Sequence, residues 1–353
     1  MTTRVAAIGV NHWHSLYDAA YLRHLAQMDG VQIVGLQEDD PVITSHRAKE
    51  LGGGIPTFTD YRQMVSEVKP DFVLALGRHD TMAEIAHYLL DSHIPFIMEK
   101  PMSFNAKQLR GVVGKVEATN GFAAVPLSNR YQPFMLEARK LIEEGKHGPM
   151  THFYARMNRP TSARYPAWGA AWMLDPRLAN GGCLRNLGSH GMDAFVHLTG
   201  EGEDVEVTGA QLGWSVLQMP IEDYASVLIK SKKGVLGTVE MGNGFPWDGT
   251  DGEWKVALRD AILSLKDGVL KLHTASGEEV LPSEMPDNPS AMVLRDTIAA
   301  AARGDDPPIS VHDCYRAVRL IDLAYLAAGN PYGTAAVRGA SHQASDSAIA
   351  DES

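Results

Sequence analysis

Over the first third of the chain, short apolar runs alternate with helical patterns. Residues 5–10, 31–36, 72–76, 96–98 and 122–127 are apolar and bounded by turn residues, which predicts strands buried on both faces. Between the last two runs, Leu109, Val112, Val113 and Val116 fall at i, i+3, i+4 and i+7, with Ser103 upstream as candidate N-cap. That spacing predicts a helix packed back on the sheet. Repeated strand, helix, strand crossovers of this kind predict a doubly wound parallel sheet over residues 1–128. Beyond 128 the pattern changes. A helix over 132–144 and a strand over 150–156 lead into an aromatic, Pro-bearing loop. Runs rich in β-branched residues follow at 205–212, 224–229, 235–241, 261–265 and 269–272, separated by pairs such as Lys233-Gly234 and Asp267-Gly268. They predict a largely antiparallel sheet. Helices are expected over 290–303 and 311–328, the second opened by Ser310 and Asp313 as a capping box and striped by Val318, Ile321 and Tyr325. The fold class is therefore α/β with a second α+β domain over 129–332. Residues 333–353, small, polar and aperiodic, are read as a disordered tail.

Composition narrows the role. A chain of 353 residues with 44% hydrophobic and 21% charged positions suits two globular cores. Its 43 acidic against 32 basic residues give a net charge of -11, which repels nucleic acid and anionic membranes, so neither is expected as a partner. Cys183 and Cys314 have neither disulfide-framework nor zinc spacing. No targeting segment and no apolar run long enough to span a membrane is evident, and a cytoplasmic location is expected.

The first strand ends in Ile8-Gly9-Val10-Asn11-His12-Trp13-His14-Ser15, where a dinucleotide-binding Rossmann domain places glycines that let backbone amides approach a pyrophosphate. Only the first glycine is kept; Asn11 can take a positive φ in place of another. At the end of strand two, Glu38 is the candidate for the adenosine ribose hydroxyls, and Asp39 and Asp40 beside it would repel a 2′-phosphate. NAD is expected rather than NADP; the other reading is three acids solvating a loop. His12 and His14 invite a metal, but no partner ligand can be assigned from the sequence, so no metal site is predicted and His12 or Trp13 is expected to pack on the cofactor.

Glu99-Lys100-Pro101 follows the fourth strand. With the segment before it, Asp91-Ser92-His93-Ile94-Pro95-Phe96-Ile97-Met98, with Asn129-Arg130-Tyr131, and with Gly181-Gly182-Cys183-Leu184-Arg185-Asn186-Leu187-Gly188-Ser189-His190-Gly191-Met192-Asp193, the chain resembles the glucose-fructose oxidoreductase and inositol dehydrogenase (Gfo/Idh/MocA) family over roughly residues 4 to 330. The resemblance implies an NAD-dependent oxidoreductase acting on a secondary alcohol of a sugar, polyol or glycoside, or on the ketone in reverse. It also implies a cofactor site including Gly9, Asn11, His12, Trp13, Glu38, His79, Glu99 and Lys100, and a homodimer or homotetramer through the C-terminal sheet. Three departures stand out: the reduced glycine fingerprint, the absence of Pro-Asn and a final His in Gly77-Arg78-His79-Asp80-Thr81-Met82, and Asn186 at the family's aspartate. They keep two alternatives in view, redox-assisted elimination or hydrolysis of a glycoside, and an inactive NAD-binding regulator.

Hydride removal from an alcohol needs a cation near oxygen and an acceptor for the hydroxyl proton. Lys100, at the carboxyl end of a parallel strand, suits the first task and, if buried, the second; alternatively it pairs with Glu99 at a surface turn. His190 is the candidate base. On a helix, Asn186, His190, Asp193 and His197 share a polar face, so Asn186 is expected to bind a substrate hydroxyl and Asp193 to orient the imidazole or bond a backbone amide. Arg130, Arg185, Tyr165, Trp168 and Trp172 are candidate substrate contacts that equally suit packing. Trp247 and Trp254 could line the same pocket or an oligomer interface.

Overall fold

The computed structural model describes residues 2–246, 249–285, 287–330 and 332, so Trp247 and the 333–353 tail lie outside the described residues. Eleven elements build the first half: β1 (Thr3–Ile8), α1 (Tyr21–Gln27), β2 (Val31–Gln37), α2 (Pro41–Glu50), β3 (Thr57–Phe58), α3 (Tyr61–Val68), β4 (Phe72–Ala75), α4 (Met82–Asp91), β5 (Phe96–Met98), α5 (Ala106–Thr119) and β6 (Ala123–Ala124). The strands pair in parallel in the order β3-β2-β1-β4-β5-β6. The order reverses between β1 and β4, which opens a crevice at their carboxyl ends where this architecture binds ligands. The N-cap of α5 is Asn105, whose side chain accepts from the Gln108 backbone N–H, and not Ser103, which donates to the Asn105 carbonyl. Asn105 stands one position before the first helical residue, where its oxygen reaches the third amide of the helix.

The second half follows as α6 (Pro133–Glu144), β7 (Met150–Asn158), α7 (Thr161–Ala167), α8 (Pro176–Ala179), α9 (Cys183–Thr199), β8 (Glu206–Gly213), β9 (Tyr224–Lys230), β10 (Leu236–Gly242), β11 (Asp251–Leu258), β12 (Ala261–Lys266), β13 (Val269–Thr274), β14 (Gly277–Leu281), α10 (Pro289–Arg303) and α11 (Val311–Ala327). Its eight strands run β14-β13-β12-β11-β7-β10-β9-β8, antiparallel except for the β7–β10 pair. At the β12–β13 hairpin, Asp267 and Gly268 both take positive φ, the mirror-image turn that matches strand twist. β11 and β14 add to the strands predicted from sequence.

One face of the eight-stranded sheet packs on α9 through Val227, Ile229, Val239 and Met241. The other leaves Leu228, Leu236 and Ile262 exposed. Helix α11 serves two cores. Val311, Cys314 and Val318 complete the core of the first sheet, joined by Val293, Leu294 and Ile298 of α10, whereas Ala317, Leu320, Ile321, Ala324 and Tyr325 complete that of the second. Packing therefore crosses residue 128: the last helices close the first sheet as well. Among the described residues, no helix is long and apolar enough to cross a membrane.

Candidate functional site

Two cavities lie at the carboxyl edge of the parallel sheet. The first, of about 310 Å³, is lined by Gly9, Asn11, His12, Glu38, Asp39, Gly77, Arg78 and Trp172 among others, and sits at the strand-order reversal. Gly9 has φ +71°, and a Cβ there would come within 2.4 Å of the Gly77 amide nitrogen, so only glycine lets the loops after β1 and β4 meet. Glu38 accepts from the Asn11 backbone N–H at 2.9 Å and the Asp39 N–H at 3.1 Å, which fixes its carboxylate at the end of β2 where ribose hydroxyls are held. Arg47, the nearest basic residue in sequence, turns away to donate to the Val10 carbonyl at 3.2 Å and to pair with Glu50. The cation at this cleft is instead Arg78, which pairs with Asp80. The segment containing α7 and α8 closes over the cleft: Asn11 Nδ2 donates to the Gly169 carbonyl at 3.1 Å, His79 Nδ1 lies 2.8 Å from the Ala179 carbonyl, and the Trp172 ring lies 5.1 Å from that of His79. Burial pushes His79 down to about 3, so its ring is neutral. Trp13 stacks on His12 at 3.9 Å and is itself buried beneath that ring. These residues fit a dinucleotide: a glycine-tightened crevice, a fixed carboxylate and a covering aromatic.

The second cavity, of about 190 Å³, is lined by His14, Asp18, Glu99, Lys100, Ser128, Asn129, Gln132, Arg159 and His190 among others. Lys100 is buried, not at a surface turn, and its Nζ donates to both the backbone carbonyl and the Oδ1 of Asn186, at 2.7 and 2.6 Å. Burial pulls its pKa down, and the neighbouring Arg159 charge adds to this against the opposing pull of Glu99. Once deprotonated, the amine would keep two protons for the two Asn186 oxygens and have its lone pair free for the cavity. Asn186 Nδ2 in turn contacts the buried Tyr165 hydroxyl. His190 borders the same cavity. Burial, then the charges of Lys100 and Arg159, push it down to about 3, and its buried Nδ1 has no partner among the described residues. Burial thus makes the imidazole a poor proton acceptor at neutral pH.

His12, His14 and Glu99 bring one ligand atom each within 4.8 Å, supplying the carboxylate that sequence could not assign to the two histidines. Their hydrogen bonds are those of an ion pair. His12 Nδ1 accepts from the His14 backbone N–H, which puts the ring proton on Nε2 and leaves no lone pair to give a metal. Both His14 nitrogens face carboxylates, Nδ1 at 2.7 Å from Glu99 and Nε2 at 3.4 Å from Asp18. Burial lowers the His14 pKa, but the two acids outweigh it and the net shift is upward. Glu99 also accepts from the Tyr21 hydroxyl at 2.7 Å and is held well below the usual carboxylate range, His14 outweighing burial.

Four expected substrate contacts lie elsewhere. Arg185 is fully buried, pairing with Asp322 at 2.6 Å and donating to the Asn180 carbonyl. Arg130 makes a bidentate pair with Asp193, at 2.9 and 2.6 Å, and reaches Asp313 at 3.0 Å. Asp193 therefore neither orients His190 nor bonds a backbone amide; Arg130 takes both its oxygens. Trp172 lines the dinucleotide cleft rather than the polar cavity, while Trp168 stacks on Tyr17 at 6.3 Å. Trp254 borders a third cavity of about 240 Å³, which shares Asn129, Gln132 and Arg159 with the polar one. Sequence reading missed Asp18 and Arg159, and had singled out His14 only as a metal candidate. Asn129, not its neighbour Arg130, faces the polar cavity.

Residues 3–125 match the family model described as an oxidoreductase family with NAD-binding Rossmann fold, and residues 135–257 that of the GFO/IDH/MocA C-terminal domain, together more than half of the chain. Levoglucosan dehydrogenase of Pseudarthrobacter phenanthrenivorans is 24% identical over 209 residues, 59% of this chain and 50% of that protein. An uncharacterized oxidoreductase of Schizosaccharomyces pombe is 22% identical over 198 residues, 56% of this chain and 52% of its own. The chain thus matches about half the length of these curated relatives. Among solved structures, an Agrobacterium radiobacter oxidoreductase in complex with NAD+, L-tartaric acid and magnesium has a TM-score of 0.81 at 16% identity, covering 94% of this chain and 97% of that one. A levoglucosan dehydrogenase in complex with NADH and levoglucosan has a TM-score of 0.79 at 19% identity, with 93% and 98% covered.

Proposed function

The chain belongs to the GFO/IDH/MocA oxidoreductase family, and from that premise we propose that it moves a hydride between a secondary alcohol of a sugar, polyol or glycoside and NAD. The carrying observation is the Lys100 amine, held by two Asn186 oxygens and bordering a polar cavity beside a dinucleotide cleft. Similarity to proteins solved with NADH and levoglucosan, and with NAD+ and L-tartaric acid, supports the same cofactor and a polyhydroxylated substrate. NAD, when bound, accepts or returns the hydride. In this reading residues 1–128 hold the dinucleotide, through Gly9, Asn11, His12, Glu38 and His79, and the two halves share the substrate wall. Lys100 takes the hydroxyl proton. His190, as a neutral imidazole, hydrogen-bonds the substrate, and Asn186 orients Lys100 rather than the substrate. The exposed Leu228, Leu236 and Ile262 on the open sheet face support self-association through that face. The direct test is a screen of sugars and polyols that follows NADH absorbance; no signal across the panel sinks the reading.

Glu38→Ala is expected to narrow the preference for NAD over NADP, because it removes the carboxylate that repels a 2′-phosphate and receives the ribose hydroxyls. Calorimetric titration of both cofactors checks this, and tighter NADP binding by the parent protein refutes it. Asn186→Asp is expected to place a carboxylate against the Lys100 ammonium and raise its pKa. Alcohol oxidation needs the neutral amine, so the acidic limb of kcat/KM moves to higher pH; Asn186→Ala moves it far less. Superimposable acidic limbs for the parent and Asn186→Asp would show that Lys100 is not the group being titrated.

A further inference from the structure

We propose that the substrate carries a carboxylate and that Arg159 is the residue that binds it. This rests on the hydride-transfer reading and narrows its substrate class. Arg159 follows the last residue of β7, where its backbone N–H donates to the Gly242 carbonyl at 2.9 Å and so fixes the base of the side chain. Its guanidinium borders the cavity that also holds Lys100 and His190. Its Nη1 lies 3.7 Å from Asp18 Oδ2, an ion pair beyond hydrogen-bond reach, and among the described residues none of its guanidinium N–H groups is hydrogen-bonded.

The neighbours show why this charge is left over. Glu99, His14, Asp18 and Arg159 form a row of alternating sign in which His14 takes a hydrogen bond's distance to Glu99 and faces Asp18 with its other nitrogen. The same Asp18 oxygen, Oδ2, faces both His14 and Arg159, so one carboxylate oxygen answers two cations. The field of Arg159 reaches the reacting groups, where it helps pull down both Lys100 and His190. A neutral polyol that expelled water from this cavity would leave the guanidinium without a full partner, at a desolvation cost. A carboxylate matches the planar fork with two parallel hydrogen bonds. A phosphate dianion fits worse, since it would double the negative charge beside Asp18.

The test titrates the NAD-loaded protein by calorimetry with paired probes, D-glucuronate against D-glucose and D-gluconate against D-glucitol, with D-glucose 6-phosphate as a third arm. One acid is expected to bind about 10-fold or more tighter than its neutral partner, the scale of a charge-assisted hydrogen bond. Arg159→Gln should abolish that difference by weakening binding of the acid, with affinity for the neutral sugar equal to or above the parent's because no guanidinium is left to desolvate, and Arg159→Lys should restore part of the preference. Equal affinity within both pairs, no binding of either acid, a preference that survives Arg159→Gln, or tighter binding of the phosphate ester overturns the proposal. NADH absorbance in the same samples reads the underlying activity separately: acids that bind through Arg159 without producing NADH leave the carboxylate site standing and remove the oxidoreductase reading.

Discussion

Replacing Lys100 with Met is expected to lower kcat by about 100-fold or more while NAD affinity stays within a few-fold, because general acid–base catalysis contributes on that scale. Methionine matches the length of the aliphatic stem and removes the nitrogen. The nitrogen bonds two oxygens of Asn186 across the junction of the two halves, at 2.7 and 2.6 Å, so the variant also leaves those acceptors buried without their donor. A parallel thermal melt separates the two effects: the kinetic loss must persist at temperatures where the variant is fully folded. Steady-state NADH formation and a calorimetric NAD titration make the measurement. A folded Lys100→Met protein with parental kcat on its substrate takes Lys100 out of the chemistry.

The largest effect on stability is expected at Arg185. Its ion pair with Asp322 has no solvent exposure on either side, and Asp322 also accepts from the Ala106 N–H at 2.7 Å at the start of α5. Arg185→Met strands a buried carboxylate, which costs about 3–5 kcal/mol. Adding Asp322→Leu removes the stranded charge and recovers part of that loss, leaving the Ala106 amide as the remaining debt. Urea denaturation of the parent, single and double variants decides it; a single-variant loss below about 1 kcal/mol would show that the pair is neutralised or hydrated in solution.

These two residues also mark what a sequence can say about such a site. Lys100 was legible because it closes a short apolar strand and sits in a motif with its own flanks. Arg185 was misassigned because a charged residue on a helix carries no sign of where its partner is, and Asp322 lies 137 positions away. Arg130 misled in the same way, its partners Asp193 and Asp313 being brought together only by the fold. Asp18 and Arg159 lie in segments with no period to read, and only tertiary closeness gives them meaning. Strand periodicity made most of both sheets legible. It failed at β11, where Asp251, Gly252, Glu253 and Lys255 interrupt the apolar pattern, and at β14, an edge strand whose Glu278 and Glu279 have no core face to declare. The neutral state of His190 was out of reach too, because burial and two neighbouring cations set it and no local pattern does.

The double duty of α11 reaches into how the chain is made. During synthesis at about 5–20 residues per second, the six strands of the first sheet emerge on the order of ten seconds or more before Val311, Cys314 and Val318, which finish their core. For that interval the parallel sheet has its strands but not its last cover, and the growing second sheet waits for the other face of the same helix. Neither half can reach its final stability first. A nascent chain stalled before residue 311 would therefore expose two unfinished apolar surfaces at once, and the last turn of the ribosome's work on this helix closes both.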